Sequence, residues 1–202
     1  MPEQIACPNC GGPLQVESAF TTFLVCGYCS QTLYIHDTGV DLAGKVAKLA
    51  EYPSRLSIGA QGKVKGQGFR VLGRVRYQYE DGFWDEWFVQ FDNQRIGWLE
   101  EDEGEFTLIF KTKLTSPLPP FDQIRVGGFV PLGKDQMFVS EKGEAQILGA
   151  QGEVSMSAPP GQAIQYVDGN AGDKAIRIVI DRKGITLHTG EPLEFNELVV
   201  QQ

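Results

Sequence analysis

The sequence of 202 residues contains no apolar run that approaches the roughly 20 residues needed for a membrane-spanning helix. Its opening residues, Met1-Pro2-Glu3-Gln4, are followed by no charged and apolar stretch of the kind that directs export. Basic residues are also in the minority, because 18 Lys and Arg face 26 Asp and Glu, for a net charge of −8. We therefore expect a soluble cytoplasmic protein without membrane insertion, for which nucleic acid is a disfavoured partner.

Motifs of the common enzyme classes are absent as well. The chain has only two histidines, His36 and His188, and neither has a nearby cysteine or G-x-S-x-G serine to activate. We interpret both as ordinary surface or strand residues. The glycines at Gly62, Gly66 and Gly68 do not form a phosphate-binding loop, since no helix is predicted after them. We predict no catalytic residue, and an enzyme with an unrecognised site in a β domain is kept as an alternative.

Cysteine is confined to the first thirty residues. It forms two C-x-x-C pairs separated by fifteen residues: Cys7, Cys10, Cys26 and Cys29. Two residues between thiolates let the backbone curl around one ion, and this spacing is typical of a tetrahedral zinc site. Gly11 suits the turn after the first pair because it tolerates positive φ. Ser30 stands at the equivalent place after the second pair, so we expect a slightly different turn there.

Three other roles of these cysteines compete with zinc binding. Disulfides need an oxidising compartment, and the missing export signal argues against one. A thioredoxin-like redox motif needs a helix behind the C-x-x-C and a βαβ unit, and neither is predicted. Iron held by four thiolates remains open, because spacing alone does not distinguish it from zinc. With four protein ligands, either ion has no vacant position for water or substrate, so the predicted role is structural.

Short apolar segments surround the cysteine pairs and indicate strands of a ribbon too small to bury a core without a metal. The apolar residues of these segments are Leu14, Val16, Phe23, Val25, Leu33 and Ile35. Residues 1–36 resemble the zinc-ribbon family, a module of transcription factors, translation components and protein-interaction adaptors. The resemblance implies a structural zinc ion and a binding role.

Residues 37–53 carry a different pattern. Leu42, Val46 and Leu49 are spaced four and three apart, and Pro53 ends the segment. This spacing predicts a short helix that links the ribbon to the rest of the chain.

From residue 54 onward, apolar and aromatic residues alternate in segments separated by glycine-containing turns, which predicts strands. The clearest segments are Val75-x-Tyr77-x-Tyr79, Trp87-x-Val89-x-Phe91, Phe106-x-Leu108-x-Phe110 and Ile176-x-Ile178-x-Ile180. We predict a mainly β protein: the zinc ribbon, a short linker helix, and a two-lobed small β-barrel or β-sandwich body with lobes at 54–116 and 117–202.

A weak internal repeat underlies the division into two lobes. Gly59 is followed ten and twelve residues later by Phe69 and Val71, and Gly127 is followed at the same offsets by Met137 and Val139. A repeat of this length predicts two related β units. A chance match is the alternative.

Charge is unevenly distributed along the chain. Six basic residues and no acidic one fall between positions 52 and 78: Arg55, Lys63, Lys65, Arg70, Arg74 and Arg76. The next stretch, 80–105, is strongly acidic. Neighbouring strands of opposite charge can pair across a solvated sheet face, which is the interpretation we favour. Nucleic-acid binding by the ribbon and the basic strands is the alternative.

Alternation in the W-x-E-x-F segment puts Trp84, Glu86 and Phe88 on one face of a strand, opposite a core face formed by Trp87 and Val89. An open face of this kind combines aromatic rings with a carboxylate and favours a cationic partner, such as a basic peptide or a polyamine. We predict a partner-binding surface at these three residues. The alternative is that a second layer of the protein covers them.

Several segments carry a second resemblance. They are Gly73-Arg74-Val75-Arg76-Tyr77, Trp84-Asp85-Glu86-Trp87, Gly97-Trp98-Leu99, Gly104-Glu105-Phe106, and Gly152-Glu153-Val154 with the later Asp168. This pattern resembles a bacterial and archaeal family catalogued as domain of unknown function 4178, although Ser155 stands where that family has proline. The resemblance implies a non-catalytic β domain, often beside a zinc ribbon, without an assigned activity. From the whole sequence we expect an accessory or adaptor protein that acts by protein–protein interaction.

Overall fold

The computed structural model of the chain describes residues 3–36, 39–45, 49–156 and 159–201. Within these residues the chain forms sixteen strands and two single-turn 3-10 helices, at Phe121–Gln123 and Phe195–Glu197. The predicted mainly β fold is confirmed. None of the helices in this part of the chain has the length and apolar character needed to span a bilayer.

The ribbon contains the first five strands. They are β1 (Glu3–Ala6), β2 (Pro13–Val16), β3 (Phe23–Val25), β4 (Gln31–His36) and β5 (Gly39–Lys45). β1 pairs with β2, and β3, β4 and β5 form an antiparallel sheet. The side chains of Leu14, Leu24 and Leu33 pack with Cys7 and Cys26 into a small core. This core is minor, so the cysteine cluster carries much of the ribbon's cohesion.

The predicted linker helix is wrong for the residues of the segment that the structure describes. Residues 39–45 form β5, which pairs with β4 through contacts such as Leu33 with Leu42. Residues 37, 38 and 46–48 of the predicted segment lie outside the described residues. The apolar spacing covered barely two turns, too little to hold a helix by itself. Pairing with β4 satisfies the backbone instead, and Gly44 adopts a φ of +98°, which no helix contains.

Eleven further strands follow the ribbon. The first five are β6 (Gln61–Val64), β7 (Gln67–Gln78), β8 (Phe83–Phe91), β9 (Ile96–Asp102) and β10 (Glu105–Thr112). The others are β11 (Phe129–Leu132), β12 (Asp135–Val154), β13 (Ala163–Ala171), β14 (Lys174–Asp181), β15 (Gly184–Leu193) and β16 (Leu198–Val200).

Eight of these strands close into a ring, called here the β-ring. Its strands pair in the order β7, β8, β9, β10, β15, β14, β13 and β12, and β12 pairs in turn with β7. All eight pairings are antiparallel. Closure leaves the ring without a free sheet edge.

The internal repeat is present in the structure. Gly59 and Gly127 have φ values of +82° and +81°. Their N–H groups donate to the carbonyl oxygens of Val71 and Val139 at 2.9 and 2.8 Å, respectively. A four-residue strand, β6 or β11, begins two residues after each glycine. The two segments therefore share the same turn, hydrogen bond and outer strand, which supports the predicted repeat.

A bulge recurs at the same place in both copies. The β7–β8 register shifts between Val71 and Gly73, and the β12–β13 register shifts between Val139 and Glu141. After the bulge, pairing resumes at Phe88 in the first copy and at Asp168 in the second. Phe88, Trp98 and Ile109 then lie side by side across β8, β9 and β10. Their counterparts across β13, β14 and β15 are Asp168, Arg177 and His188.

The two predicted lobes, 54–116 and 117–202, are not separate bodies. Each range contributes four strands to the one β-ring, and the ring closes where β10 meets β15 and where β7 meets β12. The last strand, β16, returns to pair with β6 of the first range. Hydrogen bonding across both joins makes one shared unit, because each half alone would leave two unpaired edges.

Apolar side chains cover the outer face of each half and fill much of the ring interior. The first outer cluster includes Leu56, Val64, Phe69, Trp87, Val89, Leu99 and Leu198. The second includes Ile124, Val130, Met137, Val139, Val167, Ile178 and Leu187. The interior cluster includes Val75, Tyr77, Trp84, Ile147, Ile164 and Tyr166. The β-ring is thus a layer between two outer cores and one inner core.

Candidate functional site

The four cysteines lie on two equivalent backbone turns. The N–H of Gly11 donates to the carbonyl of Cys7, and the N–H of Ser30 donates to the carbonyl of Cys26, each at 2.8 Å. Gly11 has a φ of +74° and Ser30 a φ of +58°. The expectation of a different turn at Ser30 is therefore wrong. Serine takes the left-handed conformation there, a cost of about 1 kcal/mol that the surrounding turn imposes.

The four sulfur atoms are close enough to share one ion. All lie within 4.8 Å of one another, and two contacts, Cys7 with Cys29 and Cys10 with Cys26, are 3.8 Å between Sγ atoms. A tetrahedral ion with metal–sulfur distances of about 2.3 Å needs sulfur–sulfur edges of roughly 3.8 Å. The cluster therefore fits a single four-coordinate metal ion, and it brings together all four residues predicted from the sequence.

Asn9, between the first two cysteines, contributes to the cluster. Its side-chain Nδ2 donates to the Sγ of Cys29 at 3.5 Å. This hydrogen bond is the largest of the influences that lower the pKa of the Cys29 thiol, to about 6. A thiolate is the form that binds a metal, so Asn9 favours the binding-competent state. The sequence pattern did not single out Asn9.

A buried carboxylate fixes the ribbon to the β-ring. Glu153, at the end of β12, is 5% exposed. Its two oxygens accept hydrogen bonds from the N–H groups of Glu17 and Ser18 and from the hydroxyl of Thr21, at 2.8, 3.2 and 2.6 Å. β3 also pairs with the last two residues of β12. The ribbon is therefore held on the ring by a bonded carboxylate and a continuous sheet.

The predicted open face at Trp84, Glu86 and Phe88 is wrong. The three residues are 3%, 6% and 0% exposed, because this face of β8 points into the β-ring. Trp84 stacks on Tyr77 with ring centroids 4.9 Å apart, and Phe88 packs against Trp98 at 5.8 Å. Ring closure supplies the second layer that covers them, as in the alternative interpretation.

Glu86 belongs instead to a buried charge cluster around Arg177. Arg177 on β14 lies four strands from β8 in either direction around the ring, so its side chain spans the interior. Its Nη1 is 3.6 Å from Glu86 Oε1 and also pairs with Glu100, while its Nη2 and Nε donate to Asp168 at 2.6 and 2.8 Å. The guanidinium lies 4.8 Å from the centroid of Trp84. One cation thus faces three carboxylates inside the ring.

Burial controls the protonation of this cluster. Desolvation raises the pKa of Glu100 to about 7, although attraction by Arg177 acts in the opposite direction. Desolvation likewise raises the pKa of Glu86 above its usual value. Near neutral pH the cluster therefore holds fewer negative charges than its three carboxylates would carry in water.

His188 lies beside Arg177 on the neighbouring strand. It is 8% exposed, its ring contacts Trp98 edge to face at 5.2 Å, and its Nδ1 has no hydrogen-bond partner among the described residues. Burial lowers the pKa of His188 to about 4, and the charges of Arg177 and Lys111 add to the effect. His188 is a strand residue, as predicted, but a buried and neutral one.

The predicted pairing of basic and acidic strands is present, although inside the protein. Arg76 on β7 lies opposite Asp85 on β8 and donates to its two oxygens at 2.8 and 2.6 Å. Arg74 approaches the same carboxylate at 3.3 Å. Arg74 is 5% exposed and Arg76 is 3% exposed. The predicted solvated face is therefore buried, because outer segments of the chain cover it.

The geometry defines a class of protein: a ribbon with a four-cysteine cluster that could bind a metal ion, joined to a closed antiparallel β-ring with two similarly folded halves. Residues 57–195 match the family described as Domain of unknown function (DUF4178), and the chain belongs to this family. The match covers the entire β-ring and excludes the ribbon. No curated protein matches the chain. No solved structure matches it.

Proposed function

We propose that this protein is a non-catalytic adaptor that binds other proteins, with the ribbon as a rigid docking element. The proposal rests on the combination of a closed four-thiolate cluster with exposed aromatic side chains on the same small ribbon. Tyr28 lies inside the second C-x-x-C turn and is 68% exposed, and Phe20 is 55% exposed. Exposed aromatic residues on a rigid frame are typical of binding surfaces, since burying them costs little conformational entropy.

The position of Tyr28 is fixed by its contact with the first cysteine turn. A Cβ atom added at Gly12 would lie 2.6 Å from the Tyr28 ring, so the ring rests directly on the glycine backbone. The metal cluster joins the two turns, and Glu153 holds the ribbon against the β-ring. A partner would therefore meet a preformed surface.

Zinc is the ion that we propose for the cluster, in a structural role. The four cysteines supply a closed tetrahedral set of soft ligands, which zinc favours and which also suits iron. Thiolate ligands have to stay reduced, so a cytoplasmic location is part of the proposal. Elemental analysis of purified protein should give one zinc per chain; one iron, with the colour of an iron–thiolate centre, would overturn this assignment.

A cationic segment of the protein partner fits the charge of the chain, which is −8. The predicted aromatic and acidic face is buried, but a small pocket of about 130 Å³ combines the same chemistry at the surface. It is lined by Tyr52, Tyr79, Phe83, Asp81, Asp102 and Glu103, among others. Carboxylates beside aromatic rings favour Lys or Arg side chains, and a polyamine would use the same contacts.

Nucleic-acid binding was the main alternative, and the pairing of the basic residues weakens its support. Arg74 and Arg76 are buried against Asp85, Arg70 pairs with Glu17, and Lys65 pairs with Glu191. A phosphate backbone needs unpaired cations on a surface. An enzyme with an unrecognised β-domain site stays the second alternative, for which turnover of a compound would be the evidence.

The experiment that tests the adaptor proposal places a photo-crosslinking amino acid at position 28 of the full chain in its native cells. We expect it to trap one or a few protein partners, and Tyr28→Ser should weaken their capture in a matched pull-down. Position 195 is the control, because Phe195 is 81% exposed and belongs to the C-terminal segment instead of the ribbon. Equal trapping from both positions, or capture that Tyr28→Ser leaves unchanged, would contradict a docking role of the ribbon.

A further inference from the structure

The β-ring interior opens into a chamber of about 230 Å³ on the side where the ribbon sits. Its walls include Tyr77, Glu86, Trp98, Lys111 and His188 from the ring and Thr22 from the ribbon. A chamber of this size exceeds the space that a few ordered waters occupy. It therefore has room for a small organic molecule.

A wider groove of about 760 Å³ continues the chamber along the seam between ribbon and ring. Thr22, Trp98, Lys111 and Ser155 line both spaces, so the two are adjacent. Aromatic side chains from both modules, Phe20 and Tyr34 from the ribbon and Trp98 and Phe110 from the ring, form much of the groove wall. Such a wall favours an apolar or aromatic body.

The charge of these walls is opposite to that of the whole protein. Arg95 and Lys111 line the groove, and Lys111 and Lys183 line the chamber. The only carboxylate that lines either space, among the described residues, is Glu86, which already faces Arg177. In a chain with a net charge of −8, this concentration of cations around one cavity favours an anion.

Two polar side chains, Lys111 and His188, line the chamber, and Lys111 also lines the groove. Lys111 and His188 are directly opposite each other on β10 and β15, and both line the chamber. Lys111 makes no ion pair with a described residue, and the buried Nδ1 of His188 has no hydrogen-bond partner among them. An unpaired buried polar atom costs stability unless a ligand satisfies it.

We propose that this cavity, formed by chamber and groove, binds a small aromatic carboxylate, with the carboxylate between Lys111 and His188 and the aromatic ring against Trp98. Lys111 supplies the charge and the neutral imidazole supplies a directional hydrogen bond, while the groove encloses the ring. Glu86 at the chamber wall disfavours a more highly charged anion such as a phosphate. This site does not include Tyr28, and it shares one exposed aromatic residue, Phe20, with the docking element.

The test uses the full metal-loaded chain and three probes that share one aromatic body: phenylacetate, phenylacetamide and phenethylamine. The indole N–H signals of the three tryptophans are followed by NMR, because Trp98 lines the cavity whereas Trp84 and Trp87 do not. We expect phenylacetate to shift the Trp98 signal in a saturable way. The neutral amide should bind at least about tenfold more weakly, since it loses the charge-assisted contact, and the amine should not bind.

Two variants locate the anion contact. Lys111→Gln, at an exposed position, should weaken phenylacetate binding roughly tenfold, and Lys134→Gln in the β11–β12 turn, which lines neither space, should leave it unchanged. His188→Gln adds a second reading, because it should weaken binding without altering the tryptophan signals of the free protein outside the cavity. The proposal is overturned if phenylacetate leaves the Trp98 signal in place up to about 10 mM, if the amide or amine binds as well as the acid, or if the two lysine variants behave alike.

Discussion

The two halves of the β-ring share a backbone and differ in what that backbone carries inside. At three matched positions the first half has Phe88, Trp98 and Ile109, which pack as an apolar row, and the second half has Asp168, Arg177 and His188. The glycine turns, the four-residue outer strands and the bulges are the same in both. Backbone features therefore define the unit, while the inward-facing side chains of the two halves carry different chemistry.

The halves also differ in length at one strand. β12 has 20 residues and its counterpart β7 has 12. The extra residues of β12 carry Glu153 and the pairing with β3, so the sheet connection to the ribbon lies in the second half, whereas the first half contacts the ribbon through the ion pair of Arg70 with Glu17. The strand extension that meets the ribbon is therefore a feature of one half, and the end of β7 can serve as a control for the end of β12.

Removal of the metal should have the largest effect. It should affect the end of the long strand β12 and leave the end of its shorter counterpart β7 unchanged. A structural metal contributes about 10 kcal/mol or more to the folding of its module. Chelation at neutral pH should abolish amide-exchange protection over residues 3–36 and at Glu153 and Val154, while Tyr77 and Gln78 at the end of β7 keep theirs. Cys10→Ser should reproduce the result, and Ser30→Gly, which keeps all ligands, should not. Simultaneous loss of protection throughout the ring would mean that ribbon and ring form one cooperative unit.

Substitution of Arg177 should have the next largest effect and should test the buried charge cluster around Arg177 directly. Arg177→Met leaves Glu86, Glu100 and Asp168 without their shared cation, and breaking a buried charge arrangement in this way costs about 3–5 kcal/mol. Urea unfolding at pH 7 measures the loss. The loss should shrink toward about pH 4, because the unpaired carboxylates take up protons. A loss of unfolding free energy below about 1 kcal/mol that does not change with pH would show that the groups of the charge cluster around Arg177 are not coupled.

The raised pKa of Glu100 predicts a smaller, pH-dependent effect within the same charge cluster. The pKa is about 7 in the folded protein, against roughly 4.3 in an unfolded chain, so the folded state prefers the protonated carboxyl. This group therefore stabilises the fold most at low pH, and its contribution is lost as pH rises through the folded value. Glu100→Gln should become more stable relative to wild type between about pH 4.5 and 7.5, by on the order of 2 kcal/mol.

The difference between variant and wild type isolates Glu100 from its neighbours. Glu86, Asp168 and Arg177 face it, and His188 acts with the opposite sign, since a lowered histidine pKa favours the fold at higher pH. Glu105→Gln, at an exposed position of β10, is the control and should give a flat difference. A flat difference for Glu100→Gln as well would contradict the raised pKa.

The smallest expected effect tests the equality of the two copies. Gly59→Ala and Gly127→Ala each force alanine into a left-handed conformation, and no atom lies within 4 Å of the added Cβ at either site. Each should cost about 1 kcal/mol, with the two values equal to within a few tenths and additive in the double variant. Thermal or urea unfolding measures all three. Losses of unfolding free energy that differ by more than about 1 kcal/mol would show that the two turns contribute differently to stability.

Local signals in the sequence predicted the metal cluster and the strands. The spacing of Cys7, Cys10, Cys26 and Cys29 depends on turns of a few residues, so the motif can be recognised without knowledge of the fold. Alternation in Trp87-x-Val89-x-Phe91 indicated a strand because one face is apolar. Gly59 and Gly127 indicated the repeat because both turns require the same positive φ. The apolar residues of the strand that follows lie at the same distances in sequence from each glycine.

Non-local pairing accounts for what the sequence did not predict. Alternation shows that Trp84, Glu86 and Phe88 share a face, but only the β10–β15 and β7–β12 joins decide that this face is enclosed. In the sequence, Arg177 between Ile176 and Ile178 has the pattern of a solvated residue on an amphipathic strand. Alternation alone does not show that the closed ring encloses this face as well. Residues 39–45 became β5 because a sheet partner in the ribbon outweighed a weak helical spacing.

At the two joins of the ring, each strand meets its own counterpart: β7 pairs with β12, and β10 pairs with β15. Matching positions face each other at both joins, because Gln78 lies opposite Gln146 and Phe110 lies opposite Thr189. The β10–β15 ladder extends to both sides of its matched pair, whereas the β7–β12 ladder extends to one side only, along the extra residues of β12. Because both halves belong to one chain, closure of the ring is intramolecular and does not depend on protein concentration.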